Sequence, residues 1–556
     1  MKSPVTIKGR VMARIAVGLT AAALAVSMSA CAGSSAGGSS HPLTVGMPNG
    51  PQTNNHNPFT PTSSASSLGY RYLMYEPLAQ TNATQPDQKP VPWLASSFTW
   101  SPDFTSVEFT ARSGAKWSDG KAFTAKDIAY TFELLKKVDS FNVNALPIDK
   151  VTADDKKVTI DFGSSQFVSQ PKVLNQFIVP EHIWSKMKNP ETDTNQKPIG
   201  TGPYTLKTWT QQAVTLVPNT SYWGGKPKVP EVRYTSYNDN NSQLTALLSG
   251  ASQWSFVFIP DIKKTYVAKS PTNTAYMPGG LGVDALFLNT TKAPFDNVAL
   301  RQALNLVIDR EAIHTQGYSG FKTLVDNVAG LPTPAGDPFL APEYKKKATV
   351  DVEAAKKLLT DAGYSYKGKD LIDPEGTPVS FTLTDPAGWS DYLASLQIIA
   401  DNVAKIGITA KVETATVDAW TSNVNNGEFE ATLHWTNSGS TPWDIYSNIM
   451  DGKQLKPIGT QAAWNFGRFD SADATKNLAD YANTTDEGER TVALTALQKI
   501  MVEQVPAIPL ASGPMGAEAS TKYWTGWPTE EDPYAPFQPT LPNASQVLMH
   551  LKPAGK

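Results

Sequence analysis

Between residues 240 and 440 the apolar pattern switches repeatedly between helix-like and strand-like runs, and glycine ends one helix after another. Residues 242–248 read as a helix stopped at Gly250, and 254–259 as a buried strand. Residues 296–308 read as a helix capped by Asp296, and 352–362 as a helix closed by Gly363. A strand at 381–384, a helix at 392–406 closed by Gly407, and strands at 408–413 and 429–435 complete the run. Such alternation builds α/β units with mixed sheets. At 556 residues the chain is too long for one compact core, so two or three units are expected. Upstream, 43–47 and 107–112 read as strands, and 151–162 as a hairpin turning at Asp154-Asp155. Thr124 opens a helix with Asp127 in its first turn.

The first forty residues are of a different kind. Lys2, Lys8, Arg10 and Arg14 precede an apolar stretch at 15–26 and the small residues Ser27, Ser29 and Ala30. This is the pattern of a secretory signal. Its apolar stretch is shorter than the roughly 20 residues that span a bilayer. The sole cysteine, Cys31, directly follows Met28-Ser29-Ala30, which resembles a bacterial lipobox. A lone cysteine in an exported chain has no disulfide partner, so lipidation is its expected fate. Residues 32–40 are only Gly, Ser and Ala, a flexible tether. Several acyl chains on one residue anchor durably where one chain does not. Loss of the leader and its four cations moves the net charge from -3 to -7. With no basic run, nucleic acid is excluded as a partner.

Short stretches in fixed order resemble one family along nearly the whole mature chain. They are Met74-Tyr75-Glu76-Pro77-Leu78, residues 109–120, Ala125-Lys126-Asp127, Gly200 to Tyr204 and Tyr222-Trp223-Gly224-Gly225. Further on come Leu288-Asn289, Pro294-Phe295-Asp296, Arg301-Gln302-Ala303-Leu304, Ile308-Asp309-Arg310, Leu358-Leu359 and Ala362-Gly363-Tyr364. The chain is similar in these to the bacterial extracellular solute-binding proteins of family 5, the dipeptide-, oligopeptide- and nickel-binding proteins of ABC importers. The resemblance implies an α/β fold of two lobes, the large periplasmic-binding-protein type. Two crossover strands would join the lobes, and an extra subdomain would be inserted in the first. The expected division is signal 1–30, anchor and tether 31–41, and first lobe 42–70, 200–285 and 522–556. The inserted subdomain takes 71–199 and the second lobe 286–521. The implied role is non-catalytic: a monomer outside the cytoplasm captures a small polar ligand by lobe closure and delivers it to the membrane permease. The only membrane contact is the lipid anchor, and no cofactor or metal is implied.

Peptide binders of this family hold the ligand's α-amine with an aspartate in a Trp-x-x-Asp stretch. Here that stretch is Trp435-Thr436-Asn437-Ser438, and a hydroxyl does not offset the desolvation of a buried ammonium. Asp444 would replace the missing carboxylate only if its loop turned back. Residues 254–261, Asn465-Phe466-Gly467-Arg468 and Trp527-Pro528-Thr529-Glu530 resemble an oligosaccharide-binding branch of the family. A sugar needs aromatic platforms with short polar side chains between them. The candidate ligand residues are therefore Trp254, Trp435, Asn437, Ser438, Trp443, Asp444, Trp464 and Trp527, with Asn57 and Tyr70 from the first segments. Trp117 and Trp223 read as structural, and Arg301, Asp309 and Arg310 as ion pairs of the fold. An oligosaccharide comes first and a peptide held without a carboxylate–amine pair second.

Chemistry outside binding finds little support. Residues 114–121 miss the phosphate-loop spacing, no His-Glu-x-x-His run occurs, and the Gly-x-Ser-x-Gly spacing appears only at Gly33 to Gly37, inside the Gly/Ser/Ala tether and not on a strand-to-helix elbow. His434 reads as a packed strand residue. A glycoside hydrolase would need two carboxylates about 5–10 Å apart across a cleft, a distance that sequence does not measure. Metabolic labelling with a radioactive fatty acid tests the anchor: the wild-type chain is expected to take up label, and Cys31→Ala to take up none.

Overall fold

The computed structural model describes residues 41–85 and 88–555. The leader, Cys31 and most of the tether lie outside these residues. Two separate sheets organise the remainder. The first has seven strands, in the order Asn273–Tyr276, Ala517–Ser520, Trp254–Ser255, Leu43–Met47, Val232–Ser236, Ala213–Pro218 and Tyr204–Trp209. The second has six: Thr323–Leu324, Ala507–Ser512, Asp284–Leu288, Ala431–Trp435, Ser380–Pro386 and Thr409–Ala415.

Leu43–Met47 lies inside the first sheet and pairs parallel on both sides, Leu43 opposite Val232 and Val45 opposite Trp254. A strand covered on both faces must be small or apolar throughout. Gly46 meets that demand, since a β-carbon there would stand 2.7 Å from the Ser252 hydroxyl. In the second sheet the residues of Asp284–Leu288 alternate between two cores. Leu286 and Leu288 enter one face, Ala285 and Phe287 the other, all essentially inaccessible.

A four-stranded antiparallel sheet carries the insertion: Ala95–Trp100, Ser106–Ala111, Lys157–Phe162 and Ile148–Ala153. The hairpin turns at Asp154, whose carboxylate accepts from the Lys156 and Lys157 amides at 2.7 Å each. Helix Ala125–Lys137 opens at Thr124 as expected. Asp127 accepts there from the Thr124 amide at 2.9 Å and reaches the Glu181 amide at 3.1 Å, so one buried carboxylate caps two helices.

Several expectations need correction. The helix at Val298–Val307 is capped by Asn297, not Asp296, because the amide oxygen of Asn297 reaches the free N–H groups of Ala299 and Leu300. The strand expected at 254–259 has ladder partners only at Trp254 and Ser255. Val257 instead donates its amide to the Glu518 side chain at 3.2 Å. Arg301 and Arg310 are not ion-paired. Arg301 donates to the carbonyls of Phe295, Gln504 and Val505, and Arg310 to the Pro509 carbonyl and the Asn305 side chain. Asp309 caps a short turn through the Ala312 amide. The chain crosses to the second sheet between Tyr276 and Asp284 and returns between Ser512 and Ala517. Boundaries at 286 and 522 fall late, since Asp284 is already paired opposite Trp435 and Ala517 opposite Tyr276.

Glu76 explains two of the matched stretches at once. Its fully buried carboxylate accepts from Trp93 Nε1 at 2.7 Å, the Tyr222 hydroxyl at 2.8 Å and Trp223 Nε1 at 3.0 Å. Trp223, structural as expected, packs edge-on to Trp93 beneath the Arg112 guanidinium. Burial raises the Glu76 pKa to about 7, and the three donors offset only part of that rise. Folding therefore favours the protonated acid. The stability this contributes is full below the ordinary value of 4.5 and is lost as pH rises through about 7. Denaturant titrations from pH 4 to 8 are expected to show that decline, and Glu76→Gln to make it shallower.

Candidate ligand-binding site

Both sheets aim the carboxyl ends of their parallel strands at one another. In the first sheet these are Leu43–Met47, Val232–Ser236 and Trp254–Ser255; in the second, Ser380–Pro386, Thr409–Ala415 and Ala431–Trp435. Open α/β sheets bind ligands outside such ends, where loops diverge and helices begin. The turn 386–391, just past the second sheet, touches the first lobe. Trp389 Nε1 donates to the Pro48 carbonyl at 3.3 Å, and the Asn240 amide to the Gly388 carbonyl at 3.1 Å. The Asn240 side chain reaches Ser390 Oγ at 3.1 Å and Asp391 Oδ1 at 3.3 Å. Gly388 has no room for a β-carbon, which would collide with the Asn238 carbonyl.

The second-lobe wall of this interface is aromatic. Trp389, Trp420 and Trp435 meet with ring centroids 5.1–6.1 Å apart. His434 stacks between Trp420 at 5.2 Å and Trp435 at 4.1 Å, with Phe466 at 4.5 Å and Trp464 at 6.1 Å on its other edges. Burial lowers the His434 pKa to about 4, so it is a neutral ring at physiological pH. Trp435 is 42% exposed, and among the described residues it is the one tryptophan in the set of exposed large apolar side chains. It has a supported back and a free face, which is what a flat apolar ligand surface or a peptide plane requires.

Below the aromatic wall lies a buried ionic group. Lys322 Nζ stands 2.5 Å from Asp284 and 3.2 Å from Asp391, and 4.3 Å from the ring centres of both Tyr318 and Tyr392. Burial pulls its pKa down, but the two carboxylates outweigh that and hold the ammonium above its ordinary value. Neighbouring Asp385 is driven well above the carboxylate range by burial, and the Leu433 amide donates to it at 3.1 Å.

The candidates from sequence divide into two sets. Trp435, Asn437 and Ser438 lie on one loop at the end of Ala431–Trp435, and Trp464 packs edge-on to His434 beside them. Ser438 packs against Gly280 of the crossing segment, and its buried hydroxyl has no hydrogen-bond partner among the described residues. Asn437 is half-buried and donates its amide to Asn448 Oδ1 at 2.6 Å. The remaining candidates are engaged within the protein. Trp254 is inaccessible, donates to the Phe537 carbonyl at 3.0 Å and packs on Trp527, which bonds the Trp524 carbonyl at 3.0 Å. Tyr70 bonds His56 Nδ1 at 2.7 Å and Ser64 Oγ at 2.5 Å in the first core. Asn57 holds the carbonyls of Pro190 and Asp193 at 2.8 Å each. Trp443 is buried and donates to the Leu478 carbonyl at 2.9 Å. The loop before Asp444 does turn back, so that the carboxylate lies against Gly439, but Lys172 occupies it at 2.7 Å.

Trp389, Trp420 and the Lys322 group were not among the candidates. Trp389 had a signal: a strand ends before it and a helix begins after it, which places it at a carboxyl end. Lys322 had none, because both of its carboxylate partners are distant in sequence.

Comparison with known proteins bears on the family and the fold. The family model described as bacterial extracellular solute-binding proteins, family 5 middle, matches residues 89–456. A glutathione-binding protein of Salmonella paratyphi A is 26% identical over 454 residues, covering 78% of this chain and 82% of that protein. Di/tripeptide-binding protein 1 of Pseudomonas aeruginosa is 26% identical over 463 residues, 76% of this chain and 80% of its own length. Among solved structures, the mannohexaose-bound periplasmic oligopeptide-binding protein of Thermotoga maritima superposes with a TM-score of 0.83. It is 25% identical and covers 92% of this chain and 99% of its own.

Trp435→Ala is expected to weaken ligand binding by about 2 kcal/mol, measured by titration calorimetry. The melting temperature of the ligand-free protein is expected to stay within about 2 °C, as for a surface substitution.

Proposed function

The chain belongs to the bacterial extracellular solute-binding proteins of family 5, and from that premise we propose that it captures a small polar ligand between its lobes for an ABC importer. The observation that carries this reading is the meeting of two sets of strand carboxyl ends around an exposed, back-supported indole. The relatives are binding proteins rather than enzymes. Residues 1–40 supply export and an anchor at Cys31, and among the described residues no helix is long and apolar enough to cross a membrane. Closure makes the Asn240 contacts with 388–391 and shields the polar groups inside, where electrostatic interactions act more strongly than in water. The closed surface is then what the permease recognises.

A short peptide is the proposed ligand class. The sequence put an oligosaccharide first and a peptide second, and the comparisons favour the second: the relatives quoted take glutathione and di- or tripeptides. Such a peptide is held through its backbone and side chains, with the exposed face of Trp435, backed by Trp420 and Trp389, taking an apolar side chain or a peptide plane. Two observations keep a neutral oligosaccharide as the second reading. Asp444 is already engaged by Lys172, and the structural relative with TM-score 0.83 holds mannohexaose.

A thermal-shift screen with a mixture of di- to hexapeptides and a mixture of β-linked and mannose oligosaccharides decides between the two. A ligand at a hundredfold excess over its Kd stabilises by about 2.7 kcal/mol. The peptide mixture is expected to shift the melting. A shift with oligosaccharides alone reverses the ligand order, and no shift with either overturns the reading.

A further inference from the structure

Lys172 lies in the inserted subdomain, on the helix Gln170–Leu174. Its ammonium leaves that subdomain and enters the second lobe. There it meets Asp444 Oδ1 at 2.7 Å and lies 4.5 Å above the centre of the Trp443 ring. Both side chains of the pair are largely withdrawn from solvent, 15% exposed for Lys172 and 9% for Asp444. A carboxylate beside an indole face is a complete recognition unit for an ammonium ion, combining charge with cation–π attraction. The surroundings hold it in place. Gly439 packs on the Asp444 carboxylate, and Trp443 is fixed by its bond to the Leu478 carbonyl. Asp451, the other carboxylate near Lys172, is engaged by the Lys453 amide at 2.9 Å and by Ser447.

The unit stands at the end of the loop that begins at the exposed Trp435 and carries Ser438, and Gly439 of that loop packs on the Asp444 carboxylate. We infer that Asp444 and Trp443 form an ammonium-binding site that the chain fills with its own Lys172, and that Lys172 is thereby a specificity-determining residue. It withholds the carboxylate from ligand amines, so that ligands are chosen without regard to a free amino group. This rests on the reading of the chain as a binder of small polar ligands, but the site itself is testable without any ligand. A charge this buried and this closely paired is not displaced cheaply: removing one partner of such a pair strands the other. A ligand's amine would have to compete with an ammonium tethered at very high local concentration. Neighbouring contacts keep the tether short. Ser165 donates its amide to Asn483 at 3.2 Å, Asp139 pairs with Lys456, and Arg490 covers the Phe167 ring at 5.0 Å.

The test removes the tethered cation and offers a free one. Lys172→Ala is expected to melt below wild type and to recover with n-butylammonium chloride, but not with equal sodium chloride or 1-butanol. The double variant Lys172→Ala/Asp444→Asn is expected not to respond. Binding of the di- to hexapeptide mixture, before and after exhaustive N-acetylation, is then compared. Wild type is expected to bind both within twofold, and Lys172→Ala to prefer free amines at least tenfold. If Lys172→Ala does not fold, Lys172→Gln, whose amide still donates to Asp444, is expected to show the same preference at threefold or more. Equal behaviour of the free and acetylated mixtures in the variants, with no butylammonium recovery, overturns the inference. A tenfold amine preference in wild type that Asp444→Asn abolishes overturns it as well. If no peptide or sugar binds wild type, the transport reading fails, while butylammonium recovery still reports on Lys172.

Discussion

Two crossing segments, paired with each other, are the constraint on which the molecule depends. Asn273–Tyr276 runs antiparallel to Ala517–Ser520 in the first sheet, and Asp284–Leu288 to Ala507–Ser512 in the second. Between the sheets the pairing thins to a few bonds. The Met515 amide donates to the Pro278 carbonyl at 2.8 Å, and Ser512 Oγ lies 3.1 and 2.8 Å from the carbonyls of Gly280 and Gly282. Five glycines fall in or beside this linker: Gly279, Gly280, Gly282, Gly513 and Gly516. Gly516 approaches the Tyr276 carbonyl too closely for any side chain. Each sheet is internally rigid while the link is narrow, so motion concentrates in the link. The proposed closure needs such a geometry.

A chain of polar contacts runs from this linker to the lobe interface. Asp284 opens the crossing strand and pairs with Lys322; Lys322 also pairs with Asp391; Asp391 meets the Asn240 amide of the first lobe. Breaking a buried ion pair is costly, because the abandoned partner stays in a medium that does not solvate it. The Lys322 group therefore fixes the start of helix Ser390–Ala404, and with it Trp389 and the turn that touches the first lobe. The aromatic wall is rigid for a related reason. His434, neutral at physiological pH, fills the space between Trp420 and Trp435 without carrying a charge into the core.

The inserted subdomain is more than an ornament on the first lobe. Through Lys172, Ser165, Phe167 and Asp139 it contacts the second lobe, giving the lobes a second meeting place beyond the turn at Trp389. The segment of chain that carries Lys172 thus delivers a cation to the loop between Trp435 and Asp444.

What the amino-acid sequence determined by itself was local. The helix at Thr124 with Asp127, the hairpin at Asp154, the stops at Gly250, Gly363 and Gly407, and the strand–helix alternation all rest on caps, turns and periodicities that reach only a few residues. Those forces are encoded where they act, so they were legible, and with them the α/β class. The neutral residue at Ser438 was legible in the same direct way, as a substitution in a short stretch. Only the tertiary structure decided which tryptophan faces solvent. Trp254 read no differently from Trp435, yet it closes on Trp527 and Phe537 in the core. Nor could the sequence show that the Asp444 carboxylate belongs to Lys172, or that Lys322 serves two aspartates. Burial and ionic partnership are set by what the fold brings up from distant segments, and the local pattern carries no record of it.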